Sequence, residues 1–427
     1  MTQYLKNPDK RKWVIVVTIF IAIICNYLDR QLLSILKPTI KAAFDMNDDG
    51  YALIVNIFLI CYALMYPISG ILVDKFGPKK VMFAGIFAWS VACIGGGLST
   101  NMWEFAFFRG LLGLAEPTIF AGQIVAVTVW FTRKQRATAN SLCTAGGSIG
   151  TVIAPIAIAW LSTIFPWNEV FVLAGGVGLL IAVAWHFVYV DPPQEVLDVT
   201  LNEGTASGHG ASFTWPQLWK TRSLWGVLLI RFISDPVWYF CLFWLPGYLQ
   251  EDSGLSLKQV GYVGWIPFLF GAVGGVLTSA WSDKMVQRGM EPLKARKRMM
   301  TLAAIVAPLC IFTPYFNSLP GYWNVAAIIA AYSLIAIMCL SWLYTICVVI
   351  AESFPVRNVA SVVGITAGFG AVGGAIFNYY VGQLLSTMGN TLFLVMGFLH
   401  WIAVIILWKM TRPENPEKQL KKQSKTA

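Results

Sequence analysis

Apolar residues run in stretches of about 20 along most of the chain, and polar residues gather in short breaks between them. Reading the runs between breaks places spans at 13–36, 51–73, 80–99, 103–129, 138–162 and 168–190. A polar stretch at 191–221 follows, and then 223–249, 258–282, 298–316, 322–350, 359–386 and 391–410. A helix of ~20 residues crosses the ~30 Å hydrocarbon layer of a bilayer and satisfies its own backbone there. The pattern predicts an all-α polytopic membrane protein with 12 transmembrane helices in two pseudo-symmetric six-helix bundles. The bundles take residues 1–190 and 222–410, with a cytoplasmic central loop at 191–221 and a cytoplasmic tail at 411–427.

Composition agrees with this reading. The chain is 57% hydrophobic and 12% charged, about half the charge of a soluble domain. Soluble enzymes, secreted disulfide scaffolds and nucleic-acid binders are excluded as the main reading. The eight cysteines lie inside apolar segments with no C-x-x-C pair, which predicts free, buried thiols. Lys10, Arg11 and Lys12 precede an apolar run with no small-residue cleavage site, so an uncleaved first span is expected.

The net charge of +10 is a topology signal. The N-terminus, the even-to-odd loops and the tail hold 25 of the 31 Lys and Arg residues. The opposite loops hold only Lys37, Lys41 and Lys258, and Arg30, Arg109 and Arg231 lie within spans. Both termini are therefore expected in the cytoplasm.

The halves repeat a motif. GILVDKFGPKK (70–80) follows span 2 and SAWSDKMVQRG (279–289) follows span 8, so Asp74-Lys75 matches Asp283-Lys284. Gly70 would permit close helix approach, Gly77 a tight turn, and Asp74 a lock onto a neighbouring helix end. Gly70, Asp74, Lys75, Gly77, Lys79 and Lys80 resemble the signature loop of the major facilitator superfamily. The resemblance implies a gating role for these residues, and for Asp283 and Lys284, rather than substrate contact.

Ionisable groups within spans mark substrate or proton routes by default. Six stand out: Asp29, Arg30, Arg109, Glu116, Arg231 and Asp235. At ~1.5 Å per residue, Asp29 lies ~24 Å along span 1 and Arg109 ~9 Å into span 4 from the other side. The two sit at similar depth and could pair, with Glu116 deeper at ~20 Å. A guanidinium offers a planar fork for a carboxylate, and carboxylates in a low-dielectric site can exchange protons near neutral pH. Asp29 and Glu116 are thus the proton-coupling candidates, Arg30 the substrate anchor and Arg109 its mobile partner. Two static charge pairs holding helices together are the plainer alternative.

NYLDR (26–30) and FFRGLLGLAEP (107–117) resemble the anion:cation symporter family, which carries sugar acids and other organic anions with protons or sodium. The resemblance implies proton coupling and carboxylate binding for Asp29 and Arg30, and a coupling role for Arg109 and Glu116. RFISDPVWYFCLFWLP (231–246) looks most like the bacterial hexuronate transporters. Pro236 frees the Phe232 carbonyl and favours a kink, and Arg231 and Asp235 at i, i+4 suit an intrahelical pair.

A sugar acid needs hydroxyl and amide partners and an aromatic floor besides its anchor. Candidates are Asn26, Tyr27, Tyr62, Gln123, Thr144 and Ser148 in the first half, and Trp238, Tyr239, Trp244, Tyr344 and Asn378 in the second. Tyr27 and Tyr62 match tyrosines that line the site of aldonate-type members. Gly147, Cys347 and Ala367 depart from those members' polar and tryptophan contacts. His186, His209 and His400 are not assigned a proton role. No zinc or phosphate-loop motif is present, so neither an enzyme, a catalytic residue, a metal nor a cofactor is expected. A proton-coupled drug exporter is the nearer rival, but Thr151 stands where the exporter motif has proline. The expectation is a monomeric, proton-coupled hexuronate importer in the lipid bilayer, working by alternating access and binding no nucleic acid. Aldonate transport and sodium coupling remain the alternatives.

Overall fold

The computed structural model describes residues 8–131, 133–194, 196–197 and 213–414. His209 and most of the tail lie outside these residues. The chain packs into two compact units, one of residues 1–206 with 242–265, the other of 207–241 with 266–427.

In the first unit, α1 (Pro8–Ile35) ends in a short α2 (Lys37–Ala43), and α3 runs Asp48–Leu98. Then come α4 (Met102–Ala115), α5 (Pro117–Trp130), α6 (Arg133–Leu161) and α7 (Trp167–Val188). The second unit opens with a four-residue turn, α8 (Trp215–Leu218), and α9 (Arg222–Phe243). Two short helices, α10 (Leu245–Glu251) and α11 (Leu257–Val263), belong to the first unit. The chain returns through α12 (Ile266–Gln287) and α13 (Pro292–Ala303), which passes through a 3-10 stretch (Ala304–Phe312) containing Pro308 into α14 (Thr313–Asn317). It ends in α15 (Trp323–Ser353) and α16 (Val356–Met410).

Among the described residues, 11 helical stretches are long and apolar enough to cross a membrane. One of them, α3, has 51 residues and would measure about 75 Å if straight, more than twice the hydrocarbon layer. It breaks at Gly77, whose φ of 79° and ψ of 156° leave the helix. Two crossings therefore occupy α3, and the predicted count of 12 stands. Large apolar side chains cover the outside, with Leu180 71%, Phe187 69% and Phe107 67% exposed. A surface of that kind suits lipid rather than water.

The cysteines are all free, as expected, but only five are buried; Cys25 and Cys61 are half-buried and Cys347 is exposed. His400 is buried edge-on against Trp342, with ring centroids 5.1 Å apart and neither nitrogen hydrogen-bonded. His186 is exposed beside Phe83.

Candidate functional site

The intramembrane charges of the first unit meet around Arg30. Its Nε donates to Glu116 Oε2 at 3.1 Å, and its Nη2 bonds the same oxygen and, at 3.5 Å, Asn26 Oδ1. The guanidinium carbon lies 4.9 Å from the Tyr62 ring, 5.1 Å from Tyr27 and 5.4 Å from Phe58. Aromatic faces attract a cation, more strongly away from water. Arg30 and Glu116 are both buried, so each is the other's main source of charge compensation.

Local structure places these groups. Glu116 sits between α4 and α5, still helical in its own torsions and bonded through its N–H to Leu112 O at 3.0 Å. Pro117 follows and supplies no N–H, which interrupts the helical ladder at the carboxylate. Beside Tyr27, Gly147 of α6 leaves no room for a side chain: a Cβ there would stand 2.8 Å from the ring.

Arg109 differs from expectation. It forms no ion pair with the Asp29 carboxylate; its Nη1 and Nη2 donate to the backbone carbonyls of Asp29 and Arg30 at 3.4 and 3.5 Å. Depth along a helix gives no azimuth, and the guanidinium reaches the backbone of α1 before the side chain. Asp29 is buried, with Cys93 Sγ 3.8 Å from Oδ1 and no partner for Oδ2. The Cys93 thiol also lies 3.3 Å from the Phe171 carbonyl. Asp29 Oδ2, Glu116 Oε1 and Arg109 Nε are buried polar atoms without partners among the described residues. Such atoms are rare.

The remaining candidates divide. Asn26, Tyr27 and Tyr62 gather at Arg30 as described. Gln123 is buried and donates to Thr144 Oγ1 at 3.2 Å and to Asn140, bridging α5 and α6. Ser148 is half-buried on α6. Trp244 is fully buried in the first unit, where it packs edge-on against Tyr51 at 5.0 Å, not in a sugar-binding face. In the second unit Arg231 Nε bonds Asp235 Oδ2 at 2.7 Å, the predicted intrahelical pair. Trp238 packs on Phe268, the Tyr239 ring lies against Gly374 and the Tyr344 ring against Gly275, and Asn378 is buried.

The repeated motif is asymmetric. Asp283 Oδ1 pairs with Arg296 Nη1 at 2.6 Å, and Arg296 also bonds Glu352 at 3.2 Å and Ser282 at 2.9 Å. Asp74, Lys75 and Lys80 are exposed, and Asp74 has no hydrogen bond or ion pair among the described residues. Gly77 makes the expected turn. Among the described residues Gly70 makes no close contact with another helix; no such atom stands within 4 Å of where its Cβ would be. Lys79 contributes its carbonyl, which accepts the Trp185 indole N–H at 3.1 Å, and Lys284 is exposed.

Residues 19–348 match the family model of the Major Facilitator Superfamily. The chain belongs to that superfamily. It is a transporter, not an enzyme. It is 26% identical over 417 residues to the hexuronate transporter of Escherichia coli strain K12, covering 93% of each chain. It is 27% identical over 309 residues to the galacturonate transporter of Dickeya chrysanthemi, covering 69% of this chain and 88% of that one. Among solved structures, the D-xylose-proton symporter superposes with a TM-score of 0.74 at 12% identity, covering 94% of this chain and 98% of that one. A bacterial homologue of the human lysosomal transporter Spinster, inward-facing and occupied, gives 0.70 at 17% identity, with 92% and 94% covered. These two likenesses show that the chain shares the fold of those transporters.

Proposed function

We propose that this transporter imports hexuronates, glucuronate or galacturonate, together with protons by alternating access. The observation that carries the reading is the Arg30–Glu116 pair in its box of Tyr27, Phe58 and Tyr62. A resident carboxylate there occupies the fork that a substrate carboxylate would use. The names of the two relatives above support a sugar acid as the ligand.

Coupling follows from the cost of an unpaired buried charge. Breaking a buried pair by removing one partner costs ~3–5 kcal/mol. Protonating Glu116 with no substrate bound leaves Arg30 unpaired, and binding substrate to ionised Glu116 places two carboxylates at one guanidinium. Both half-loaded states are penalised by about two to four powers of ten. The empty pair and the doubly loaded state, with Glu116 protonated and the substrate carboxylate on Arg30, avoid the penalty. Proton and sugar acid then cross together. Asp29 is the second proton site, and Arg109 fixes the backbone of residues 29–30 that aims Arg30. Asn26, Tyr27 and Tyr62 contact the sugar, and Gln123 braces α5 against α6. Ser148, Trp238, Tyr239, Tyr344 and Asn378 are further contact candidates. The distribution of Lys and Arg supports cytoplasmic termini, the relatives above support a bacterial inner membrane, and the 70–80 loop with Asp283-Lys284 supports gating between two six-helix bundles.

Arg30→Ala is expected to abolish the melting-temperature shift produced by galacturonate. In proteoliposomes, Glu116→Gln is expected to keep substrate exchange while losing accumulation driven by a pH gradient. Accumulation retained by Glu116→Gln refutes the proton role, and uptake that collapses when choline replaces sodium at fixed pH points to sodium coupling instead.

A further inference from the structure

Lys37 begins α2, and the sequence marks it only as one of three basic residues on the sparsely charged side of the membrane. In the structure it is fully buried. Its Nζ lies 2.9 Å from Asp48 Oδ1 and 2.5 Å from Glu251 Oε2. The ammonium also stands 4.6 Å from the Trp244 ring and 5.3 Å from the Tyr51 ring. Lys41, one helical turn on, bonds the same two carboxylates at 2.8 Å each. Two ammoniums thus share two carboxylates in a closed, neutral square. Gly247 completes it, since a Cβ there would stand 2.5 Å from Lys37 Cδ.

Two of the square's four ion pairs, those of Glu251, reach one segment. Glu251, Gly247 and Trp244 belong to α10 and its approach. Two further bonds hold the same stretch: Tyr51 hydroxyl to the Phe243 carbonyl at 2.6 Å, and Gln250 Nε2 to the Ile35 carbonyl at 2.8 Å. Residues 242–265 pack with the first unit, although 207–241 before them and 266–427 after them form the second. The segment's attachment within the first unit is thus ionic and hydrogen-bonded at its centre.

An ionic fastening differs from an apolar plug in how it opens. The attraction between buried charges is largely offset by the hydration they give up. Released into water, two ammoniums and two carboxylates recover that hydration, so closed and open arrangements lie close in free energy. An apolar contact of equal area would lose its whole hydrophobic contribution on opening. The square has the energetics of a catch rather than a rivet.

We infer that Lys37, Lys41, Asp48 and Glu251 form a releasable latch that holds residues 243–251 on the first unit and opens and recloses in each transport cycle. The inference rests on the alternating-access reading above. It adds the place where one end of the path is fastened, and Lys37 as the residue around which the fastening is built.

A reversible crosslink across the square tests release directly. Full-length Lys41→Cys/Glu251→Cys protein in proteoliposomes is joined by a short bis-methanethiosulfonate spacer, with the single variants as controls, and uptake of radiolabelled galacturonate is followed. The latch predicts at least about tenfold loss of uptake on crosslinking and recovery with reductant. Crosslinked protein that transports at the uncrosslinked rate overturns it. Hydrogen exchange of full-length Lys37→Met in nanodiscs is the second arm, with about tenfold faster exchange expected at amides 245–252. Unchanged exchange also overturns the latch. If the uncrosslinked protein carries no galacturonate, the hexuronate reading falls while the exchange arm still decides the latch.

Discussion

At the scale of single residues, Gly147 shows how a missing side chain shapes the site. Alanine there would drive its Cβ to 2.8 Å from the Tyr27 ring, and overpacking of that kind costs ~1–3 kcal/mol. Tyr27 would move off the Arg30 guanidinium it now faces. Gly147→Ala is expected to raise the KM for galacturonate about tenfold with little change in the maximal rate, read from uptake at fixed pH. The residues involved were only partly legible beforehand. Arg30, Arg109 and Glu116 stood out because charges within apolar runs are rare, and their identities already suggested a carboxylate site. Their partners did not, because a depth along a helix says nothing of which way a side chain turns. Arg109 accordingly holds carbonyls rather than Asp29, and Cys93 beside Asp29 gave no signal among eight similar thiols.

At the scale of elements, span edges followed from apolar runs to within a few residues, and breaks between spans followed where proline or glycine announced them. Gly77 is such a break. Its torsions, φ 79° and ψ 156°, lie in a region that other residues enter only at ~1–3 kcal/mol. Gly77→Ala is therefore expected to lower the melting temperature by a few degrees, measured in detergent by intrinsic fluorescence. Less visible was α2, because seven residues between spans carry no periodic pattern to read. Its Lys41 makes a pH prediction. Burial opposes its charge, but hydrogen bonds and attraction from Asp48 and Glu251 outweigh it and hold the ammonium above the ordinary lysine value. Lys37 and Asp252 are the other charged groups nearby. A raised folded-state pKa contributes stability below the unfolded value, about 10.4, and loses it as pH rises through the folded one. Melting temperatures of the wild type should fall above that pH more steeply than those of Lys41→Met.

At the scale of the whole molecule, the repeat first seen as two Asp-Lys pairs raises a matter of inheritance. The second copy has a fixed mooring, Asp283 on Arg296 and Arg296 on Glu352, while Asp74 of the first copy has no such partner among the described residues. Symmetry of ancestry has not remained symmetry of use. Asparagine placed at both positions should therefore give unlike phenotypes. Asp283→Asn removes an existing bond and is expected to lower thermal stability modestly, since that carboxylate is 60% exposed. Asp74→Asn removes no bond among the described residues and is expected to leave the melting temperature alone while altering transport rate. Parallel melting and uptake measurements on the two variants would show that divergence, and equal effects on both readouts would argue that the copies still share one task.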